Sequence, residues 1–146
     1  MTIQRMDHVG IVVDDLAAAV AFFQALGLEL HGQGAVGGDW AACVLGLGEL
    51  QSEIAMLRTP DGHSQIELSR FQAPSSVDGD ARAPSNARGI RHITFAVADL
   101  DGTLDRVRAH GAELVGTVEE YENIYRLCYI RGPEGIIIEL AERLGG

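Results

Sequence analysis

The stretch from Met6 to Gly32, MDHVGIVVDDLAAAVAFFQALGLELHG, returns 84 positions later as Ile90 to Gly116, IRHITFAVADLDGTLDRVRAHGAELVG, without a gap. His8/His92, Val13/Val97, Asp15/Asp99, Leu16/Leu100, Ala25/Ala109, Gly27/Gly111, Glu29/Glu113, Leu30/Leu114 and Gly32/Gly116 coincide. Further along, the offset falls to 73 and then 72: Arg58-Thr59-Pro60-Asp61-Gly62 answers Arg131-Gly132-Pro133-Glu134-Gly135, and Ile66-Glu67-Leu68 answers Ile138-Glu139-Leu140. Matches that keep their order through both halves mark a duplicated supersecondary unit.

Each copy opens in the same way. Val9, Ile11 and Val13 alternate with His8, Gly10 and Val12, the period of a strand with one buried face. Asp14 or Asp15 then offers an N-cap, Leu16, Val20 and Phe23 form a helical stripe, and Gly27 supplies a left-handed stop. In the second copy Asp99, the stripe Leu100, Leu104 and Val107, and Gly111 take these parts. Strands are then expected at Glu113–Val118, Tyr125–Ile130 and Ile136–Ala141. The first copy offers Leu28–His31, Ala41–Leu45, Ser52–Leu57 and Gln65–Ser69, one more than the repeat requires. The Pro/Gly turns at 59–62 and 132–135 should close the last two strands of each copy into a hairpin.

Residues 72–88 carry two prolines and little apolar content, which predicts a linker between a first module at 1–71 and a second at 89–146. Each module alone is near the size at which a core is marginal, so the two are expected to complete one compact domain. The expected fold class is α+β: two tandem βαβββ modules forming a cupped mixed sheet with helices on the outside.

Four polar residues interrupt the apolar strands: His8, Glu67, His92 and Glu139. Their neighbours Val9, Ile66, Leu68, Ile93, Ile138 and Leu140 belong to the helix-packed side, so the four share the opposite side. Two carboxylates gathered without compensation would cost several kcal/mol each. A divalent cation removes that cost, because two neutral imidazoles and two carboxylates balance its charge and leave positions for water or substrate. Recurrence of His and Glu at matching offsets in both copies makes His8, Glu67, His92 and Glu139 the candidate metal ligands, with Ni, Co, Zn, Mn or Fe as the ion. His31, His63 and His110 read as solvated or helix-end residues, and the glycines of 32–38 follow no strand-to-helix phosphate pattern.

Composition narrows the classes of partner. Twenty-one acidic against 11 basic residues give a net charge of −10, which would repel a phosphate backbone, so no nucleic acid is expected. Cys43 and Cys128 are isolated and form no disulfide framework or zinc cluster, in keeping with a reducing compartment. The first five residues lack the apolar core of a signal peptide, and no apolar run reaches the ~18 residues of a membrane span. A cytoplasmic protein without a membrane partner is expected.

Read together, Met6-Asp7-His8-Val9-Gly10-Ile11, Leu26-Gly27-Leu28, Gln65-Ile66-Glu67-Leu68, Arg91-His92-Ile93-Thr94-Phe95 and Gly132-Pro133-Glu134-Gly135-Ile136-Ile137-Ile138-Glu139-Leu140 resemble the vicinal oxygen chelate superfamily: glyoxalase I, methylmalonyl-CoA epimerase, extradiol dioxygenases, and fosfomycin- and bleomycin-resistance proteins. The resemblance covers nearly the whole chain and implies βαβββ modules with metal ligands on the first and last strands of each. The order His, Glu, His, Glu is similar to bacterial glyoxalase I. It implies a divalent-metal-dependent lyase or isomerase that acts on a small chelating carbonyl substrate by proton transfer through a metal-bound enediolate, with Glu139 or Glu67 moving the proton. Glu53 is a further candidate base, since it resembles the epimerase base position. The alternative is a metal-free protein that sequesters an aromatic antibiotic, with Trp40, Tyr121, Tyr125 and Tyr129 as stacking surfaces. Superfamily members usually pair two chains, so a homodimer is expected.

Overall fold

In a computed structural model of the chain, residues 2–145 are described; Met1 and Gly146, at the outer bounds of the two expected modules, lie outside them. The chain divides into two compact units, Met1–Asp78 and Gly79–Gly146. Each repeats the strand, helix and strands read from the sequence.

The first unit runs β1 (Val9–Val12), α1 (Leu16–Leu26), β2 (Glu29–Gly37), α2 (Asp39–Leu45), β3 (Gln51–Arg58) and β4 (Gln65–Ala73). Its strands lie in the order β1-β4-β3-β2, with β1 parallel to β4 and the other neighbours antiparallel. Asp15 is the cap of α1: its carboxylate accepts from Ala18 N at 3.0 Å. Gly27, at φ +127°, ends the helix, while Leu28 N reaches back to Phe23 O at 2.9 Å. The helix buries Phe22 and Phe23 completely, their rings edge to face at 5.2 Å, against a sheet side carrying Ala55, Leu57, Ile66 and Leu68. Burial of this kind contributes about 1.5–3 kcal/mol for each large side chain.

The second unit runs β5 (His92–Val97), α3 (Leu100–Arg108), β6 (Glu113–Leu114), β7 (Glu119–Tyr121), β8 (Tyr125–Arg131) and β9 (Ile137–Arg143). The order is β5-β9-β8-β6, with β7 also paired to β8. Asp99 caps α3 by accepting from Gly102 N at 3.1 Å, and Leu100, Leu104 and Val107 are buried as the stripe required. Ile130, Ile138 and Leu140 are fully buried on the helix side, and Cys128 beside them is 3% exposed.

Several expected boundaries move. Ala41–Leu45 is helical rather than a strand: Gly38 and Gly46, both at positive φ, bracket α2, and Ala41 and Ala42 pack with Leu50 against Val36 and Phe71. The strand expected at Leu28–His31 instead runs on to Gly37 as β2, through a register shift between Leu30 and Gly32. Glu113–Val118 shrinks to β6, and Glu119–Tyr121 pairs separately as β7. Both Pro/Gly turns close hairpins as expected, β3 to β4 and β8 to β9. Within the stretch read as a linker, β4 extends to Ala73. Near its end the Arg131 guanidinium donates to the Ala81 and Ala83 carbonyls and Arg91 to those of Ala83 and Pro84. A Cβ at Gly135 would collide with that same Ala81 carbonyl, so the turn needs glycine both for space and for its φ of +88°.

Candidate functional site

Register fixes which side chains share a face. In the first unit Gly10 pairs with Glu67, Glu67 with Met56 and Met56 with Gly32, so these form one row across β1, β4, β3 and β2. Val12, Ser69, Ile54 and Gly34 form the next row, and Phe71, Ser52 and Val36 the one after. Ile66 and Leu68, on either side of Glu67 in sequence, are buried on the opposite face. That apolar packing holds Glu67 on the open side.

His8 immediately precedes β1, and its Nε2 lies 3.7 Å from Glu67 Oε2. On the other side of the ring, Nδ1 lies 2.8 Å from Asp7 Oδ2. An ionised carboxylate only accepts, so Nδ1 is the donor in this bond, and Nε2 is turned toward Glu67. The bond from His8 holds the Asp7 carboxyl below its ordinary pKa, with Arg5 at 3.4 Å adding to the effect. Ser69 donates weakly to Glu67 Oε1 at 3.4 Å.

The second unit repeats the pair with other supports. His92 opens β5, and its Nε2 lies 3.7 Å from Glu139 Oε1 on β9. Nδ1 sits 3.5 Å from the Tyr129 hydroxyl, with the two rings 4.9 Å apart. Thr94, paired with Glu139 in register, donates its hydroxyl to Oε1 at 2.7 Å. Both histidine side chains are 37% exposed, so each pair remains open to a ligand.

The structure therefore brings His8 to Glu67 and His92 to Glu139. Tyr125 and Tyr129 on β8 and Tyr121 on β7 share the Glu139 face. Trp40 lies on α2 of the first unit, with 69% exposure. Glu53 does not join Glu67: it pairs with Arg70 and Ala35, has the parity of Ala55 and Leu57, and accepts from Gln72 at 3.1 Å on the other face. The sequence reading passed over Asp7 and Thr94. Adjacency to His8 pointed to the first, and its place two residues after His92 on the same strand face pointed to the second.

The donor chemistry suits a divalent ion. Imidazole nitrogen and carboxylate oxygen are ligands for Zn, Ni, Fe and Mn, and two donors bound at about 2.1 Å stand about 3–3.5 Å apart. The observed 3.7 Å pairs need little closure. Among the described residues, no cluster of three or more His, Cys, Asp or Glu side chains is arranged around one point.

Residues 5–140 match the Glyoxalase/Bleomycin resistance protein/Dioxygenase superfamily. The chain belongs to this superfamily. Within it, a glyoxalase family protein from Bacillus cereus is 54% identical, over 99% of this chain and 97% of that one, with a TM-score of 0.95. A mutant of the fosfomycin resistance protein FosX of Listeria monocytogenes was solved with Mn(II) and a dihydroxypropylphosphonic acid. It is 18% identical, over 95% of this chain and 90% of that one, at a TM-score of 0.60. TnmS3, an antibiotic binding protein from a Streptomyces species, is also 18% identical, over 98% of each chain, at 0.61. At that identity the latter two share the superfamily fold.

Proposed function

We propose that the chain is a divalent-metal-dependent lyase or isomerase that moves a proton next to the carbonyl of a small chelating substrate. The observation that carries this reading is the recurrence of one arrangement in both units, a histidine Nε2 set 3.7 Å from a glutamate oxygen. His8, Glu67, His92 and Glu139 are its proposed protein donors. When bound, the ion acts as a Lewis acid on the substrate carbonyl. The chain's own groups do the rest. Asp7 accepts from His8 Nδ1, with Nε2 turned toward Glu67. Thr94 engages Glu139 Oε1, leaving Oε2 as the atom that takes the proton from the carbon beside the carbonyl and returns it to the neighbouring carbon. This transfer needs no oxidant or reductant. Glu67 is the second candidate for the same task.

The test is twofold. Protein purified without chelator should retain Ni, Co, Zn, Mn or Fe, and the His8→Ala/His92→Ala double variant should lose it. Deuterium from solvent should enter an α-hydroxy carbonyl compound or hemithioacetal, and Glu139→Gln should abolish the exchange. Unchanged metal in the double variant, or exchange that survives both Glu139→Gln and Glu67→Gln, removes this reading.

One observation favours a second reading, sequestration of an aromatic antibiotic without metal: Tyr121, Tyr125 and Tyr129 share the Glu139 face. Tight binding of a cationic polyaromatic drug to chelator-treated protein, with no deuterium exchange, would replace the first reading by this one. Both readings concern a small molecule. Among the described residues no helix is long and apolar enough to cross a membrane, and a cytoplasmic location accords with the isolated cysteines.

A further inference from the structure

A histidine that serves as a ligand must be held in place, either from the far side of its own ring or through the backbone that carries it. His8 is held from its ring: Nδ1 lies 2.8 Å from Asp7 Oδ2, while residues 2–8, which lead into β1, are all exposed. The ring of His92 has a weaker hold, since its Nδ1 meets the neutral Tyr129 hydroxyl at 3.5 Å. In the repeat, Arg91 stands where the first unit has Asp7.

The backbone ahead of His92 is gripped instead. Arg131, the last residue of β8, donates through Nη1 to Ala81 O and Gly135 O, both at 3.2 Å, and through Nη2 to Ala83 O at 2.8 Å and Arg82 O at 3.4 Å. Arg91 Nη2 donates to the same Ala83 O at 3.0 Å and to Pro84 O at 2.9 Å. One carbonyl therefore joins the end of β8 to the residue that precedes His92. The Gly135 turn packs directly on this segment, with no room for a Cβ against the Ala81 carbonyl. Register shows why the arginine works through the segment. Arg131 and His92 pair with Ile137 from opposite sides, so they stand about 10 Å apart in one row, with Thr94, Glu139 and Tyr129 forming the next. In the first unit Arg58 answers Arg131, but its Nη2 donates to the Gln65 side chain on the neighbouring strand, at 3.3 Å.

We propose that Arg131 is a positioning residue for His92. By fixing residues 81–83 to the end of β8, and through Arg91 to the backbone at the start of β5, it sets where the His92 ring stands relative to Glu139. A guanidinium suits the task because its planar fork engages several carbonyls at once in fixed directions, which a lysine ammonium does not. The two histidines are thus held by different means, His8 by a side chain and His92 by the segment that leads into it. That the ring so placed serves a metal ion rests on the function proposed above.

The test uses the full chain with and without metal. In chelator-treated protein, the His92 ring signals in proton–nitrogen correlation spectra should shift or broaden in Arg131→Gln and in Arg91→Gln, while those of His8 stay in place. Arg58→Gln, the matching change in the first unit, should leave His92 where it is. Trypsin should cut after Arg82 faster in Arg131→Gln than in wild type, because the segment is released. Metal retention, measured by competition with a chromogenic chelator, should fall about tenfold in both variants. Arg131→Lys keeps the charge but not the fork; it should move the same His92 signals, and it carries the test should glutamine unfold the second unit. Cleavage after Arg82 no faster than in wild type, or His92 signals that stay in place while it speeds up, overturns the proposal. So do His8 signals that move as far as those of His92, or metal retention equal to wild type in both variants. A wild type that holds no metal removes the functional reading, and the His92 signals then decide this one alone.

Discussion

Thr94 and Gly10 occupy equivalent places two residues beyond a histidine, each paired in register with its unit's glutamate. Only Thr94 has a side chain to offer, and its 2.7 Å hydroxyl bond fixes one oxygen of Glu139. Glu67 instead receives a weak hydrogen bond from Ser69, at 3.4 Å. Outer partners of this kind typically change metal affinity about 10- to 100-fold. Thr94→Val should therefore weaken metal retention about tenfold or more, measured by competition with a chromogenic chelator, while Ser69→Ala has a smaller effect. The reverse order would show that the Thr94 bond does not orient a ligand. The histidines and glutamates were legible at this scale because buried Ile66, Leu68, Ile138 and Leu140 flank the glutamates and force their parity. Glu53 was misplaced. Its parity follows Ala55 and Leu57, and reading that required the burial of Ala55, a residue too small to announce its face.

Helix starts were legible because a carboxylate at the cap satisfies a backbone N–H that nothing else reaches. Asp15→Ala and Asp99→Ala should each cost about 1 kcal/mol in urea unfolding, and a change below a tenth of that would mean the 3.0 and 3.1 Å bonds contribute nothing. The start of α3 is also tied to the sheet. Arg126 donates to both Asp101 oxygens at 3.1 and 3.2 Å, and Glu142 accepts from Leu100 N at 3.0 Å. The Arg126 hydrogen bond holds the Asp101 carboxyl below its ordinary 3.8. A group depressed in the folded state stabilises it above the unfolded value and loses that contribution as the pH falls through the lowered one. Arg126→Gln should move the acid-unfolding midpoint, followed by circular dichroism, to higher pH; an unmoved midpoint would show the pair to be inert. The second helix was the element sequence could not resolve. Trp40 to Leu45 is a short apolar run that suits strand or helix equally, and the choice was made by tertiary packing of Ala41 and Ala42 on Leu50.

For the whole molecule, duplication was the most legible feature because the matches keep their order from the first histidine to the last glutamate. The lengths of β2 and β6 were not legible, since the same start yields nine residues in one copy and two in the other. The first sheet ends at β1 and β2, and the second has β5 as a terminal strand. Val12, Trp40, Val44 and Leu45 add exposed apolar surface in the first unit. We expect a homodimer that covers part of this surface, and a monomeric mass by light scattering at micromolar concentration would rule that out.

The second helix carries a consequence for experiment. Cys43 is exposed on α2, whereas Cys128 is buried and its thiol is pushed up by that burial. Thiolate chemistry follows exposure and acidity, so a maleimide dye added to the native chain should attach once, at Cys43. The helix that bears it abuts Val36 and Phe71, at the closed end of the Glu67 face. The natural sequence thus carries its own attachment point for a fluorophore, and arrival of a small molecule on that face can be followed by emission with no engineered cysteine.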